Sequence, residues 1–235
     1  MNEFKLIRNN LSKKGWSLIQ SDSLIKLNRF QSFFIKQLNT YEKFKKISNI
    51  DEIRQISNSL KDKDFNYIRN LYFNELSKKI INLHSNALLK LFSKNILAQR
   101  FPTIRFHMGN VKSTMLNAHI ESMSGHSPFT YNLWMPLHDI NDETGIWLID
   151  QKESLKICKL EANGDYDRNE LIKNSNNKKF IKLKFGESIL FNTFVFHGSD
   201  FHKRNKARIS IDIRFQKFEA PLLNKSIEYF TKFNI

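Results

Sequence analysis

The chain has a single cysteine, Cys158, four prolines and seven glycines in 235 residues. One cysteine rules out an internal disulfide and fits a reducing compartment. Two or more would be needed for a zinc knuckle. Cys158, in the segment 154–160, is read as a small apolar filler. No stretch approaches the roughly 20 apolar residues of a membrane span, and Met1-Asn2-Glu3-Phe4-Lys5 lacks the apolar run of a signal peptide. The expectation is a cytoplasmic protein with no membrane span. Several chemistries find no motif: there is no Gly-x-Gly-x-x-Gly after a strand, no phosphate loop ending in Gly-Lys-Ser/Thr, and no Gly-x-Ser-x-Gly elbow.

Acidic residues are outnumbered, 23 Asp and Glu against 38 Lys and Arg, for a net charge of +15. Such a charge can attract polyanions: nucleic acid, an acidic membrane face or phosphorylated substrates. The lysines are instead spread through Lys13-Lys14, 43–46, Lys78-Lys79 and Lys178-Lys179, without the clustered basic stripe of a nucleic-acid groove. The charge is therefore read as a compositional bias shared with abundant Asn and Ile. The excess of Phe over Tyr and Trp suggests aromatic packing rather than a stacking surface.

Glycine and proline divide the chain. Of the glycines only Gly15 precedes Phe101, and the first hundred residues read as mostly helical. Leu24, Leu27, Phe30, Phe33, Phe34 and Leu38 recur at near-helical intervals behind a Ser/Asp start, predicting a helix within 21–39. A short helix is expected over 51–60, and one long or two abutting helices over 64–95. Residues 13–20 read as an early strand. From Phe101 the rhythm becomes short strands, expected at 103–108, 115–122, 130–137, 146–149, 180–184, 187–192, 193–197 and 208–215, with turn signals at 125–128, 141–142, 163–165 and 184–187. The polar segment 165–179 reads as a surface excursion. Many short strands in one domain of this length predict a double-stranded β-helix of the jelly-roll or cupin-like kind, with the N-terminal helices packed on it as a layer. One domain, 1–235, is expected, with 1–100 as helical support and 101–221 as the core.

Within that core, Asn117-Ala118-His119-Ile120-Glu121, His197-Gly198-Ser199 and Arg208 carry the chemistry. Side chains two apart on a strand share a face, roughly 6.6 Å apart along the chain, so His119 and Glu121 can converge on one ion. His197 from another strand would complete a two-His-one-carboxylate face, leaving positions open for a chelating co-substrate and dioxygen, the ligand pattern of non-haem iron. Arg208, eleven residues beyond His197, opens a strand in which Arg208, Ser210, Asp212 and Arg214 alternate with Ile209, Ile211 and Ile213. A guanidinium is the natural two-pronged partner for the far carboxylate of 2-oxoglutarate, which argues that the polar face of this strand points inward. The other histidines fit less well. His84 reads as a helix-face residue, His107 has no carboxylate two away, His126 sits in a turn and His138 next to Asp139 has opposite-facing spacing. His202 rivals His197 but lies in a basic loop without an Arg at a matching distance.

These motifs in order, with Ser124-Gly125-His126-Ser127-Pro128-Phe129, Asn132-Leu133-Trp134-Met135-Pro136-Leu137-His138-Asp139 and Phe185-Gly186-Glu187-Ser188-Ile189-Leu190-Phe191 between them, resemble the Fe(II)/2-oxoglutarate oxygenases of the phytanoyl-CoA dioxygenase type. The resemblance is nearest to the branch of sporadic carbohydrate gene clusters and streptomycin biosynthesis. It runs from about Arg100 to Pro221. It implies Fe(II) on His119, Glu121 and His197, 2-oxoglutarate on Arg208 and Ser199, and Asn132 and Trp134 lining the cofactor pocket. Glu121 departs from the aspartate usual in the family. The implied reaction is hydroxylation of a small, sugar-like molecule by dioxygen, with succinate and carbon dioxide as co-products. Arg105, Asn117 and Arg214 are the substrate-side candidates, each with an ordinary structural role as the equal alternative. The rival readings are a nucleic-acid demethylase on a related iron barrel and a non-catalytic sugar-binding barrel. The sequence leaves the oligomeric state open.

Overall fold

The computed structural model describes residues 2–69, 75–108, 111, 114–141, 144–164, 166–201 and 206–235. Leu71 and Tyr72 of the expected helix, Asp142 and Asp165 of two expected turns, and His202 lie outside these.

The helical half is built on end signals and one apolar stripe. Helix α1 (Glu3–Lys14) starts at Asn2, whose side chain accepts from the Phe4 N–H, and stops at Gly15 with φ of 80°. Gly15 is required there twice over, because a Cβ would also meet Gln151 and Val195 at 2.7 Å. Lys13 and Lys14 thus end a helix rather than open a strand, and β1 is confined to Trp16–Gln20. Helix α2 (Leu24–Leu38) is capped by Ser23 and buries Leu27, Phe30, Phe34 and Leu38 at helical spacing. Then follow α3 (Ile50–Ile56), α4 (Asp62–Arg69), α5 (Leu76–Leu83) and α6 (Ser85–Leu91). Of the two forms expected over 64–95, abutting helices are seen at His84, where one residue ends α5 and precedes α6. Beyond α6 the chain enters β2 (Asn95–Gln99), where no strand is expected from the sequence.

The strands β3 (Thr103–His107), β4 (Tyr131–Pro136), β7 (Glu187–Asn192) and β9 (Arg208–Lys217) lie close to their expected positions. With β1, β2 and an unforeseen β10 (Phe230–Asn234) they form a seven-stranded sheet in the order β1-β7-β4-β9-β2-β10, with β3 also on β9. A second sheet, β6-β5-β8, joins β6 (Lys179–Phe180), β5 (Trp147–Ile149) and β8 (Phe196–Gly198). Every paired strand is antiparallel. The architecture is therefore mixed α/β with antiparallel sheets.

One of these expectations is corrected and two others gain detail. Residues 115–122 do not form a strand; they touch the second sheet through one bridge, His119 to His197, and turn into a 3₁₀ segment at Glu121–Ser124. Cys158 lies on α7 (Gln151–Ala162), half-buried against Ile149, Ile157 and Phe196 in an apolar cluster. The excursion at 165–179 contains α8 (Arg168–Lys173), capped by Asp167.

Two apolar cores follow from the alternation of side chains along β4 and β9. Leu133, Met135, Ile209, Ile211, Ile213 and Phe215 face the helices and join Leu27, Phe34, Phe44, Ile53, Ile80 and Leu88 in one cluster. On the opposite face Trp134, Ile189 and Phe191 of the large sheet share a cluster with Ile146 and Leu148 beside the small one. Arg208, Ser210, Asp212 and Arg214 point to that second face and all four are buried, as the inward reading of the strand required. Among the described residues, no helix is long and apolar enough to cross a membrane.

Phe34 is fully enclosed where α2 meets the sheet. Phe34→Ala should lower the unfolding free energy by about 3–5 kcal/mol, read as a shift in denaturant midpoint at unchanged slope.

Candidate metal centre

His119 and His197 meet as cross-strand partners. Each N–H donates to the other's carbonyl, at 3.1 and 3.0 Å, which places both side chains on one face. The rings lie 4.2 Å apart between centroids. His119 Nδ1 contacts the Asn117 carbonyl at 2.7 Å and His197 Nδ1 the Val195 carbonyl at 3.1 Å. A carbonyl only accepts, so each Nδ1 carries the proton and each Nε2 keeps its lone pair. Gly198 makes the approach possible, since a Cβ there would fall 2.6 Å from the Trp147 ring and 3.1 Å from the Leu116 carbonyl.

Ile120 is extended, so Glu121 lands on the same side as His119 before the chain turns. Ligand atoms of His119, Glu121 and His197 all lie within 4.8 Å of one another, a group that can hold a metal ion. Glu121 is buried, and its Oε1 stands 3.7 Å from His197 Nε2. Burial opposes its charge, but Arg214, with His197 behind it, holds the carboxyl well below the usual carboxylate range. Asn132 Nδ2 donates to Oε1 at 2.8 Å; Arg214 donates to Oε1 from Nη2 at 2.8 Å and to Oε2 from Nε at 3.2 Å.

The register of β4 on β9 sets Asn132 opposite Arg214 and Trp134 opposite Asp212 on this inner face. Arg208 starts four residues before Asp212 yet folds back, with its guanidinium 5.4 Å from the Trp134 ring centroid. Its Nη1 donates to the Thr144 and Gly145 carbonyls at 3.2 and 3.0 Å. Its Nε and Nη2 are buried and, among the described residues, without a hydrogen-bond partner; so are Trp134 Nε1, Ser210 Oγ and Asp212 Oδ1. Buried polar atoms are ordinarily satisfied, so this cluster of open donors with one carboxylate acceptor stands out. Burial pushes the Arg208 guanidinium down to about 9. Ser199 is buried beside His197, its hydroxyl accepting from the Leu116 N–H at 2.8 Å.

The substrate-side candidates separate. Arg105 is tied to Asp212 by a short ion pair. Asn117 is exposed at the rim, its carbonyl held by His119. Arg214 is not open to solvent but engaged with Glu121, Gln99 and Thr103. Two residues were passed over by the sequence reading. Ser210, two residues after Arg208 on the same face, was noticed only as part of an alternation. His126, set aside as a turn residue, packs its Nε2 3.7 Å from Glu121 Oε2 beneath Tyr229. Its placement depends on the turn that follows Glu121, where Ser127 Oγ donates to the Pro221 carbonyl, and no local pattern announces that. His138 is structural: its Nε2 accepts the Ile209 N–H. His84 is too, bridging the Ile80 carbonyl and Ser188.

No family model matches the chain, and no curated protein matches it. Solved structures do. ThoJ, a non-heme monooxygenase in its apo form, is similar with a TM-score of 0.58 at 11% identity over 94% of this chain and 84% of that one. SnoN, a non-heme alpha-ketoglutarate dependent epimerase from nogalamycin biosynthesis, has a TM-score of 0.54 at 11% identity over 91% and 82%. HygX from Streptomyces hygroscopicus, with nickel and 2-oxoglutarate bound, has a TM-score of 0.52 at 10% identity over 92% and 87%. The likeness is one of fold, and it covers nearly the whole chain.

Buried imidazoles dictate the acid response. Burial pushes His126 and His138 down to about 4 and His197 to about 3, from near 6.5. Between those values the unfolded chain binds more protons than the folded one, so stability falls as pH drops from about 6.5 toward 4. Glu121 adds to the loss below its own unfolded value. Urea midpoints of the metal-free protein should decline steeply across this window; a flat profile would contradict the buried neutral histidines.

Proposed function

We propose that the chain is an Fe(II)- and 2-oxoglutarate-dependent dioxygenase that hydroxylates a small, sugar-like molecule, releasing succinate and carbon dioxide. One observation carries the reading: Glu121, grouped with His119 and His197, is held by Asn132 and Arg214 on the wall where Arg208 keeps its open donors. On that wall the Asn132–Arg214 pair is one same-face step from the Trp134–Asp212 pair, and the Arg208 guanidinium lies 5.4 Å from the Trp134 ring centroid. Such a step is about 6.6 Å, a span suited to a five-carbon dicarboxylate. The donor set fits the group. Two imidazoles held at Nδ1 and one ionised carboxylate suit non-haem iron, and a buried guanidinium with open donors suits the distal carboxylate.

The two sheets would then be the walls of a double-stranded β-helix in a single 235-residue domain, with the helices of the first hundred residues as its supporting layer. In support, β4 and β9 give their apolar face to the helices and their polar face to the site. Its single cysteine suits the cytoplasm. A wall of unpaired donors and acceptors, Ser210 and Asp212 among them, suits a hydroxyl-bearing substrate, with Arg105 and Asn117 at its approach.

Iron with 2-oxoglutarate and dioxygen supplies, when bound, the oxidising power for attack on an unactivated C–H bond. The protein's own part is positional. His119 and His197 present Nε2, each ring held by a carbonyl at Nδ1. Glu121 offers an ionised oxygen beside them. Arg208, backed by Trp134 and joined by Ser199 and Ser210, would orient the co-substrate. Burial of all four inward residues of β9 excludes water from the reacting face.

His119→Ala and Glu121→Ala should each abolish succinate release while the far-ultraviolet circular dichroism persists. Turnover retained in both defeats the metal assignment. Arg208→Ala should weaken 2-oxoglutarate binding by two decades or more, since a stranded buried carboxylate costs about 3–5 kcal/mol. Calorimetric titration with unchanged affinity would refute that role. Substrate class is tested by succinate release across sugars, nucleotide sugars and sugar acids; stimulation by methylated nucleic acid alone would overturn it.

A further inference from the structure

Two arginines on one strand face have opposite circumstances. Arg208 keeps Nε and Nη2 unpartnered among the described residues, whereas Arg214 gives both of these donors to a single carboxylate. Its remaining nitrogen, Nη1, contacts Gln99 Oε1 at 3.4 Å and Thr103 Oγ1 at 3.2 Å. The guanidinium plane is thereby anchored by β2 and β3 while its fork closes on Glu121. Asn132, opposite Arg214 in the ladder, supplies a third donor to Glu121 from β4. Two strands, β9 and β4, thus hold one side chain that itself sits on a turn rather than in a sheet, with β2 and β3 behind them. Of the two oxygens, Oε1 faces His197 and Oε2 faces His126, each at 3.7 Å.

Glutamate is one methylene longer than aspartate, so it can extend past the histidines to a group behind them. Arg214 is that group. We infer that Arg214 is a positioning residue for Glu121, and that the two are matched in length, so that glutamate is required at this position and aspartate would serve worse. The inference rests on the iron reading above. A carboxylate shortened by one carbon cannot stand beside the imidazoles and fill the guanidinium fork together. It must leave one of them, and either loss weakens a metal seat built from all three. A planar fork holds a carboxylate by two parallel hydrogen bonds where an ammonium holds it at one point, so lysine at 214 restores charge without restoring aim. An arginine serving only to neutralise a buried acid would make lysine a full substitute and leave the coordination unchanged.

The full chain, metal-free, is titrated anaerobically with Co(II), whose visible bands report coordination independently of turnover. Glu121→Asp and Arg214→Gln are each expected to weaken cobalt binding about tenfold or more, the usual cost of losing a support behind a metal ligand, and to shift the bands. Arg214→Lys should recover part of the affinity but not the wild-type spectrum. The double variant Glu121→Asp/Arg214→Gln should be little worse than either single one, because both break the same grip. Circular dichroism and melting temperature show which variants fold; if Arg214→Gln does not, Glu121→Asp and Arg214→Lys decide. A folded Glu121→Asp binding cobalt as tightly as wild type overturns the length match. A folded Arg214→Lys with wild-type affinity and spectrum overturns the positioning role. A wild-type chain that binds no cobalt sinks the iron reading, and this inference with it.

Discussion

Strand β9 carries charged and hydroxyl side chains on a face that is wholly inside the protein, and the surrounding architecture answers that constraint. Taking a guanidinium or carboxylate out of water costs several kcal/mol unless a partner is provided. The three charged inward groups of β9 accordingly each have a neighbour close by. Asp212 has Arg105 on β3, Arg214 has Glu121 and Asn132, and Arg208 has the Trp134 face and two carbonyls. The opposite face, Ile209, Ile211 and Ile213, locks the strand to the helices. A one-residue slip of β9 would exchange the two faces and bury isoleucine against the site and arginine against α2. Register is therefore strongly enforced, and the site inherits its precision from it.

What the partners leave unsatisfied is as informative as what they satisfy. The open donors collect around Arg208 and Trp134, and the lone pairs collect at the two Nε2 atoms. Between them, Arg214 and Asn132 keep Glu121 ionised and aimed. On the proposed reading, the group around Glu121 would take the cation and the donors around Arg208 the anion. The fold is similar to those of ThoJ, a non-heme monooxygenase, and SnoN, an epimerase, so the fold by itself does not fix an outcome.

Period-two alternation made β4, β7 and β9 legible, and Gly/Pro-poor apolar spacing behind Ser23 made α2 legible, because both signals are local and strong. Helix α1 was missed although Asn2 and Gly15 bracket it, since Lys13 to Gln20 read more simply as strand. Helix α7 has an uneven apolar pattern and only Ser154 and Ile157 buried, so periodicity could not find it. Strands β2 and β10 pair with each other across more than a hundred residues, and their short mixed sequences acquire strand character only in that pairing.

The candidate site residues lay in the sequence: His119, Glu121, His197 and Arg208 stand out by type and spacing, and the inward polarity of β9 is what the sequence alternation suggests. How they meet did not. His119 reaches His197 as a cross-strand partner, not as one end of a regular strand, and Glu121 is placed by an arginine ninety-three positions away. Side-chain type is a local property and is written in the chain; convergence of buried charges depends on which strands become neighbours, and that is settled only when the whole sheet closes around its apolar face.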